Sequence, residues 1–244
     1  MQLVIGNKNY SSWSMRPWVL MRQAGIAFEE VKLRFGGGFE DSSRFKRELA
    51  QYSPAGKVPV LIDPDVDDDT PVDAAGPSAR GPLAVWDTLA IAEYLAEKFP
   101  PHRLWPDAPR ERARARSACA EMHSGFTALR THCPMNVEAR LPEVGARLMA
   151  EREDVRADLA RLVALWDALL GAHGGPLLFG RFTIADAYFA PVCSRIRTYA
   201  LPVPQEIQAY VDEALALPAV QAWGEDALAE RDFLDFEEPY RSGR

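Results

Sequence analysis

Cysteine and histidine are scarce in this chain: its 244 residues hold three Cys and four His. Cys119, Cys133 and Cys193 are odd in number and widely spaced, so they build neither a disulfide framework nor a zinc knuckle. They point instead to a reducing compartment. Positive charge is in deficit too. Lys and Arg total 28 against 35 Asp and Glu, a formal net charge of −7, which argues against a general nucleic-acid binder with a basic surface. No run of 18 apolar residues occurs, and MQLVIGNKNY has no basic segment leading into a long apolar one. The expectation is therefore a cytoplasmic protein with no signal peptide, membrane span, membrane partner or nucleic-acid partner. Lysine itself stops at Lys98, and every later cation is an arginine.

What the chain does have is apolar content, 48% of residues, enough for a sizeable core. Its length allows one to two domains at roughly 150 residues each. The two parts differ in pattern. Leu3–Ile5, Phe28–Phe35, Val58–Ile62 and Leu83–Trp86 read as strands, and 15–23, 42–51 and 87–99 as helices. The order β-α-β-α-β-β-α predicts a small mixed sheet covered by helices over 1–99. Pro100-Pro101 ends it, and 100–108 reads as a linker in which Trp105 docks. Helical periodicity over 109–132, 144–172, 183–199 and 205–215, with a last helix from Pro218, predicts an all-α bundle over 109–244. The Asp-rich segment at 63–76 has Asp65, Asp67 and Asp69 at alternate positions. A calcium loop would need Gly at Thr70 and Glu at Gly76, so it is read as a solvated hairpin tip without metal.

Three segments carry candidate chemistry. In Tyr10-Ser11-Ser12-Trp13-Ser14-Met15-Arg16-Pro17, Ser14 makes a good N-cap, and the two further serines suggest hydroxyls and free N–H groups gathered for an anion or thiolate. In Gly56-Lys57-Val58-Pro59-Val60, a cis Val58–Pro59 bond would present the Val58 backbone to an extended peptide. At Trp86-Asp87-Thr88, Asp87 reads as a helix cap, and Thr88 with the N–H groups beside it as a carboxylate holder. All three lie where a strand meets a helix start or the sheet edge, at one end of the sheet.

With SPAGKVPVL, VWDTLAIAEYL and FTIADAYFAPV following in order, the chain resembles the glutathione S-transferase family, specifically a serine-type bacterial member with a zeta/theta-like N-terminal motif. The resemblance covers nearly the whole chain. It implies a thioredoxin-like N-terminal domain, an all-α C-terminal domain and a homodimer that binds glutathione beside a small hydrophobic electrophile. It further implies that Ser11 is the thiolate partner, with Ser12 as substitute or assistant. Val58 and Pro59 would receive the cysteinyl unit, Lys57 the glycyl carboxylate, and Asp87 with Thr88 the γ-glutamyl end. Trp13 stands where related enzymes often carry a smaller residue or Cys, narrowing the pocket. The absence of Cys from 10–17 disfavours the thiol-transferase branch, and Asp-Thr replaces the commoner Glu-Ser or Gln-Ser.

In the helical part, Thr183-Ile184-Ala185-Asp186 fits a capping box and is assigned to folding. His123, Phe126 and Arg130, at i, i+3 and i+7, would share one helix face and form the electrophile pocket, or belong to the core. The functions open at this point are conjugation to an electrophile, glutathione-dependent isomerisation or dehalogenation through the same thiolate, and a non-catalytic binding role with Trp13 filling the sulfur pocket.

Overall fold

In the computed structural model, which describes residues 1–67 and 81–243, four strands form one mixed sheet. They are β1 (Gln2–Ile5), β2 (Glu29–Lys32), β3 (Val60–Asp67) and β4 (Pro82–Trp86), ordered β2-β1-β3-β4. β1 runs parallel to β2 and antiparallel to β3, and β3 pairs antiparallel with β4. A central strand is covered on both faces and reads as a continuous apolar run, which is the character of Leu3-Val4-Ile5. The period of two then divides two cores. Leu3, Ile5 and Leu61 face helices α1 (Ser12–Gln23) and α3 (Thr88–Lys98), whereas Val4, Val60 and Ile62 face Phe45 and Leu49 of α2 (Arg44–Leu49). Buried Asp63 ties β3 to α3 by accepting from Tyr94 at 2.6 Å and pairing with Lys98.

This is the expected thioredoxin-like domain, with shifted edges. β3 starts at Val60, after the cis Val58–Pro59 bond, and continues through the first Asp residues of the supposed hairpin tip. The rest of that tip, including Asp69, Thr70 and Gly76, lies outside the described residues. Helix α1 starts at Ser12 with Ser11 as N-cap, three residues before the expected start. Asn7 sets that start: its carbonyl accepts the Tyr10 and Ser11 N–H groups, while its side chain accepts from Phe35 N at 2.7 Å. Gly6 is needed just before it, because a Cβ there would meet the Phe35 ring at 2.2 Å.

A 3₁₀ turn at Pro100–His102 leads into a helical domain: α4 (Pro109–Ser124), α5 (Thr127–His132), α6 (Pro142–Glu151), α7 (Glu153–His173), α8 (Ile184–Tyr199), α9 (Gln205–Ala216) and α10 (Pro218–Glu230). Trp105 is buried as expected and donates to Glu93 at 3.1 Å. Two helices expected to be continuous are broken. The first ends at extended Gly125, where a Cβ would lie 2.8 Å from the Glu121 carbonyl oxygen, and Phe126 is left-handed (φ +52°). The second is interrupted at Arg152, which binds the Asp154 carboxylate while Asp154 accepts the Val155 N–H and restarts the chain as α7. Among the described residues no helix is long and apolar enough to cross a membrane.

The capping box at α8 is present in full. Thr183 Oγ1 accepts from Ala185 N, and the buried Asp186 carboxylate accepts from Thr183 N at 2.9 Å and Leu178 N at 3.1 Å. Replacing Asp186 with Ala strands two buried N–H donors. It should lower unfolding stability by about 2–4 kcal/mol, measured by urea denaturation, and Thr183→Ala should cost about 1 kcal/mol. All three cysteines are buried, and burial pushes each thiol well above its ordinary pKa. The folded protein should therefore leave a thiol-exchange chromogen unreacted, with all three thiols titrating only after denaturation.

Candidate functional site

The site is assembled at the N-terminus of α1. Ser11 makes no side-chain cap bond, so first-turn N–H groups stay open at the positive end of the helix dipole. Its Oγ donates to Ser14 Oγ at 2.7 Å, and Ser14 Oγ also accepts the Gly6 N–H at 3.2 Å. Ser14, expected as the cap, is instead a fully buried support beneath Ser11. The Ser12 hydroxyl accepts from Arg195 Nη2 of α8 at 3.3 Å.

Ser11, Ser12 and Trp13 line a cavity of ≈ 510 Å³. Across from them stand Gly56, Lys57 and Val58, in the turn that leads into β3, an interior strand and not the expected sheet edge. The Ser53 hydroxyl braces this turn, donating to the Lys57 carbonyl at 2.9 Å and accepting its N–H at 3.1 Å. Neither the N–H nor the carbonyl of Val58 is hydrogen-bonded among the described residues. Pro59, cis and buried, ends the turn. Lys46 of α2 joins the rim and donates to the Gly56 carbonyl at 2.8 Å, while Phe35, Phe39 and Phe45 supply an apolar wall.

The helical domain closes the other side with Thr127, Arg130 and Thr131 of α5, then Pro134, Met135, Arg195 and, from the C-terminal segment, Glu237. Burial raises the Glu237 carboxyl to about 7. Arg16, on the second turn of α1, donates to the carbonyls of Ser12 and Tyr188 at 2.9 Å each. Burial pulls the guanidinium of Arg16 down to about 9 and that of Arg195 to about 10, and Arg130 adds to both effects, yet both stay protonated at neutral pH.

Trp13 walls the cavity rather than filling it. Its ring is held by Arg16 at 4.2 Å, Arg130 at 5.0 Å and His123 at 5.2 Å. Pro17 has no N–H for the Trp13 carbonyl, and Thr88 Oγ1 takes that acceptor at 3.4 Å. Asp87 caps α3 by accepting from Leu89 N at 2.8 Å, at a strained φ of +73°. Asp87 and Thr88 sit behind Trp13 and do not line the cavity.

The break at Gly125 undoes the shared face of His123, Phe126 and Arg130. Phe126 is in the core, and His123 bridges Tyr188 at 2.9 Å to Asp87 at 3.5 Å; of the three, Arg130 alone lines the cavity. Sequence reasoning missed Ser14, Lys46, Thr127, Arg195 and Glu237. For Arg195 there was a weak signal: with Arg197 it is one of two cations in α8, and it directly follows the apolar run Tyr188–Cys193 and Ser194. Among the described residues no three His, Cys, Asp or Glu are gathered to hold a metal.

The glutathione S-transferase N-terminal domain model matches residues 10–98, and the C-terminal domain model of the same family matches 149–226. Among solved structures, the chain is similar to a glutathione transferase homolog from Burkholderia gl BGR1 with bound glutathione (23% identity, 93% of this chain and 98% of that one, TM-score 0.64). It is also similar to glutathione transferase Omega 2S from Trametes versicolor (21%, 94% and 95%, 0.62). A third is a glutathione transferase family member from Pseudomonas fluorescens Pf-5 with two glutathione bound (20%, 92% and 92%, 0.61). These identities carry the fold and no more. No curated protein matches the chain. The two domain matches, in the order that the strands and helices require, establish that the chain belongs to the glutathione S-transferase family.

Proposed function

We propose that this chain binds glutathione in the cavity at the start of α1 and delivers its thiolate to a small electrophile. The observation that carries the reading is the Ser11 hydroxyl at the cavity wall, supported from below by Ser14 and Gly6 N–H and faced by the Val58 backbone, which has no hydrogen-bond partner among the described residues. In the free protein Ser11 donates to Ser14. A hydroxyl rotates to suit its partners. With sulfur present the chain of donors runs from Gly6 N–H to Ser14, from Ser14 to Ser11, and from Ser11 to the thiolate. Ser12 is the weaker choice, since its oxygen is already engaged by Arg195.

The chemistry needs this arrangement. An ordinary thiol of pKa ~8.5 is only a few per cent thiolate at neutral pH. Lowering it by one unit takes about 1.4 kcal/mol, within the range of one charge-assisted hydrogen bond helped by a helix dipole. Val58 pairs with the cysteinyl unit and Lys57 and Lys46 receive the glycyl carboxylate, while the γ-glutamyl end extends out of the cavity past Trp13 to Asp87 and Thr88 at the start of α3. The same thiolate would serve isomerisation or dehalogenation. The open cavity beside Trp13 favours these catalytic readings over a binding protein whose sulfur pocket is filled. With the family resemblance we propose a cytoplasmic homodimer, with 1–99 as the glutathione-binding domain, 100–108 as linker and 109–244 as the helical domain.

Ser11→Ala should lower kcat with a generic aryl halide by about 30-fold, the loss of one charge-assisted bond. It should also raise the pKa of bound glutathione by about one unit, followed by thiolate absorbance, and leave glutathione affinity within about threefold. Unchanged turnover would remove Ser11 from the mechanism. No calorimetric binding of glutathione to the unaltered protein at millimolar ligand would instead favour the non-catalytic role.

A further inference from the structure

Three arginines gather at the cavity, and among the described residues none of their hydrogen-bond partners is a carboxylate. Arg195 is 5% exposed where it lines the cavity, and Arg16 is 2% exposed behind it. Among the described residues, the hydrogen bonds from Arg16, Arg195 and Arg130 end on neutral oxygens: the carbonyls of Ser12, Tyr188, Cys133, Pro191, His123 and Gly125, and the Ser12 hydroxyl. Buried cations are ordinarily paired, because desolvating them alone is costly. Glu237 in the cavity wall and one glutathione thiolate at Ser11 answer part of this charge, and with Arg130 and Arg195 in the lining they leave a cationic excess on the α5 side.

Arg130 is the group shaped to use it. Its Nη1 donates at 3.2 Å to both the His123 and Gly125 carbonyls, which the helix break between α4 and α5 turns toward it. Its guanidinium lies 5.0 Å from the Trp13 ring centroid. These contacts orient the guanidinium while its Nε and Nη2 edge has no partner among the described residues. That edge is the planar fork that takes a carboxylate in two parallel hydrogen bonds. Thr127, one turn before Arg130, and Thr131, beside it, bring hydroxyls to the same cavity, and Met135 and Pro134 continue the wall as apolar surface.

We propose that the acceptor taken beside glutathione is an electrophile with an apolar body and a carboxylate, the carboxylate bound by Arg130 with the Thr127 and Thr131 hydroxyls and drawn in by the charge of Arg195. This rests on the glutathione-transferase reading and replaces a purely hydrophobic acceptor by an acidic one. For a chloroaryl acid the step is displacement: sulfur forms the C–S bond with its lone pair, and chloride leaves with the electrons of the C–Cl bond.

The test pairs 4-chloro-3,5-dinitrobenzoate with its methyl ester, each rate divided by its uncatalysed rate with glutathione. The acid should be preferred in kcat/KM by at least about 10-fold, the worth of one charge-assisted pair. Arg130→Gln should bring the acid to the level of the ester. Ester turnover with no preference for the acid rejects the inference and leaves the transferase reading intact. Equal losses on both substrates in Arg130→Gln place that residue at the thiolate and also reject it. Calorimetry reads the subsite without chemistry, using S-methylglutathione and then unreactive 3,5-dinitrobenzoate. The benzoate should bind at least about 10-fold more tightly than its methyl ester, and Arg130→Gln should abolish the difference. Binding of S-methylglutathione without the benzoate overturns the acidic acceptor alone, whereas failure of S-methylglutathione to bind overturns the reading beneath it as well.

Discussion

The buried ammonium of Lys8 holds the connection between β1 and α1 in place. It is 1% exposed and pairs with Glu30 of β2 at 2.7 Å and Asp226 of α10 at 2.5 Å, with the indoles of Trp18 and Trp223 at 4.4 and 5.4 Å. A charge this deeply placed requires its partners, so residues 6–10 have one workable path between the sheet and the last helix. The neighbours reinforce it. The Lys8 N–H donates to Glu230 at 2.9 Å, Trp223 Nε1 donates to the Lys8 carbonyl at 3.0 Å, and Asn9 accepts from Glu138 N at 2.9 Å. The residue after this loop is Ser11. The position of the candidate nucleophile-activating hydroxyl is thus set by an ion pair that joins the first strand–helix connection to α10.

Helix α1 transmits that constraint to both domains. Leu20 and Met15 belong to the core it shares with the sheet and with α8, while Arg16 reaches across to the Tyr188 carbonyl. An interface that needed only to hold would place an apolar residue at Arg16, since replacing buried charge by well-packed apolar groups is commonly neutral or stabilising. Keeping two guanidinium groups there, with carbonyls for partners, sacrifices stability where the cavity is formed. Departures of this kind from the rules of packing concentrate at functional sites.

Much of the fold is legible in the chain because local and long-range demands agree there. Leu3-Val4-Ile5 is apolar on both faces and becomes the central strand; Thr183 and Asp186 cap α8 with groups three residues apart; Pro59 excludes itself from the ladder. Legibility fails where tertiary contacts decide. Ser14 looks like a cap by type and spacing, but Asn7, held to Phe35, starts the helix one turn earlier. The break at Gly125 stands in a helical sequence whose only warning is one glycine, and the left-handed Phe126 after it is sustained by core burial. For the site, residues near the β1–α1 connection were within reach of local reasoning. Arg195 and Glu237 come from segments far along the chain and meet the cavity only through packing.

Net charge proves a poor guide to the cavity. A total of −7 describes the solvent-facing majority, where carboxylates such as Asp154 and Glu121 pair with exposed arginines. Screening limits the reach of such exposed charges to about 10 Å, while buried groups feel one another with much less attenuation. The cavity therefore has its own electrostatics, set by Arg16, Arg195 and Arg130 and opposed locally by Glu237, whose carboxyl burial raises to about 7. An acidic protein can in this way present a cationic site. Its acidic exterior repels anionic molecules at long range, so recognition of an anion depends on contacts inside the cavity and not on steering toward it.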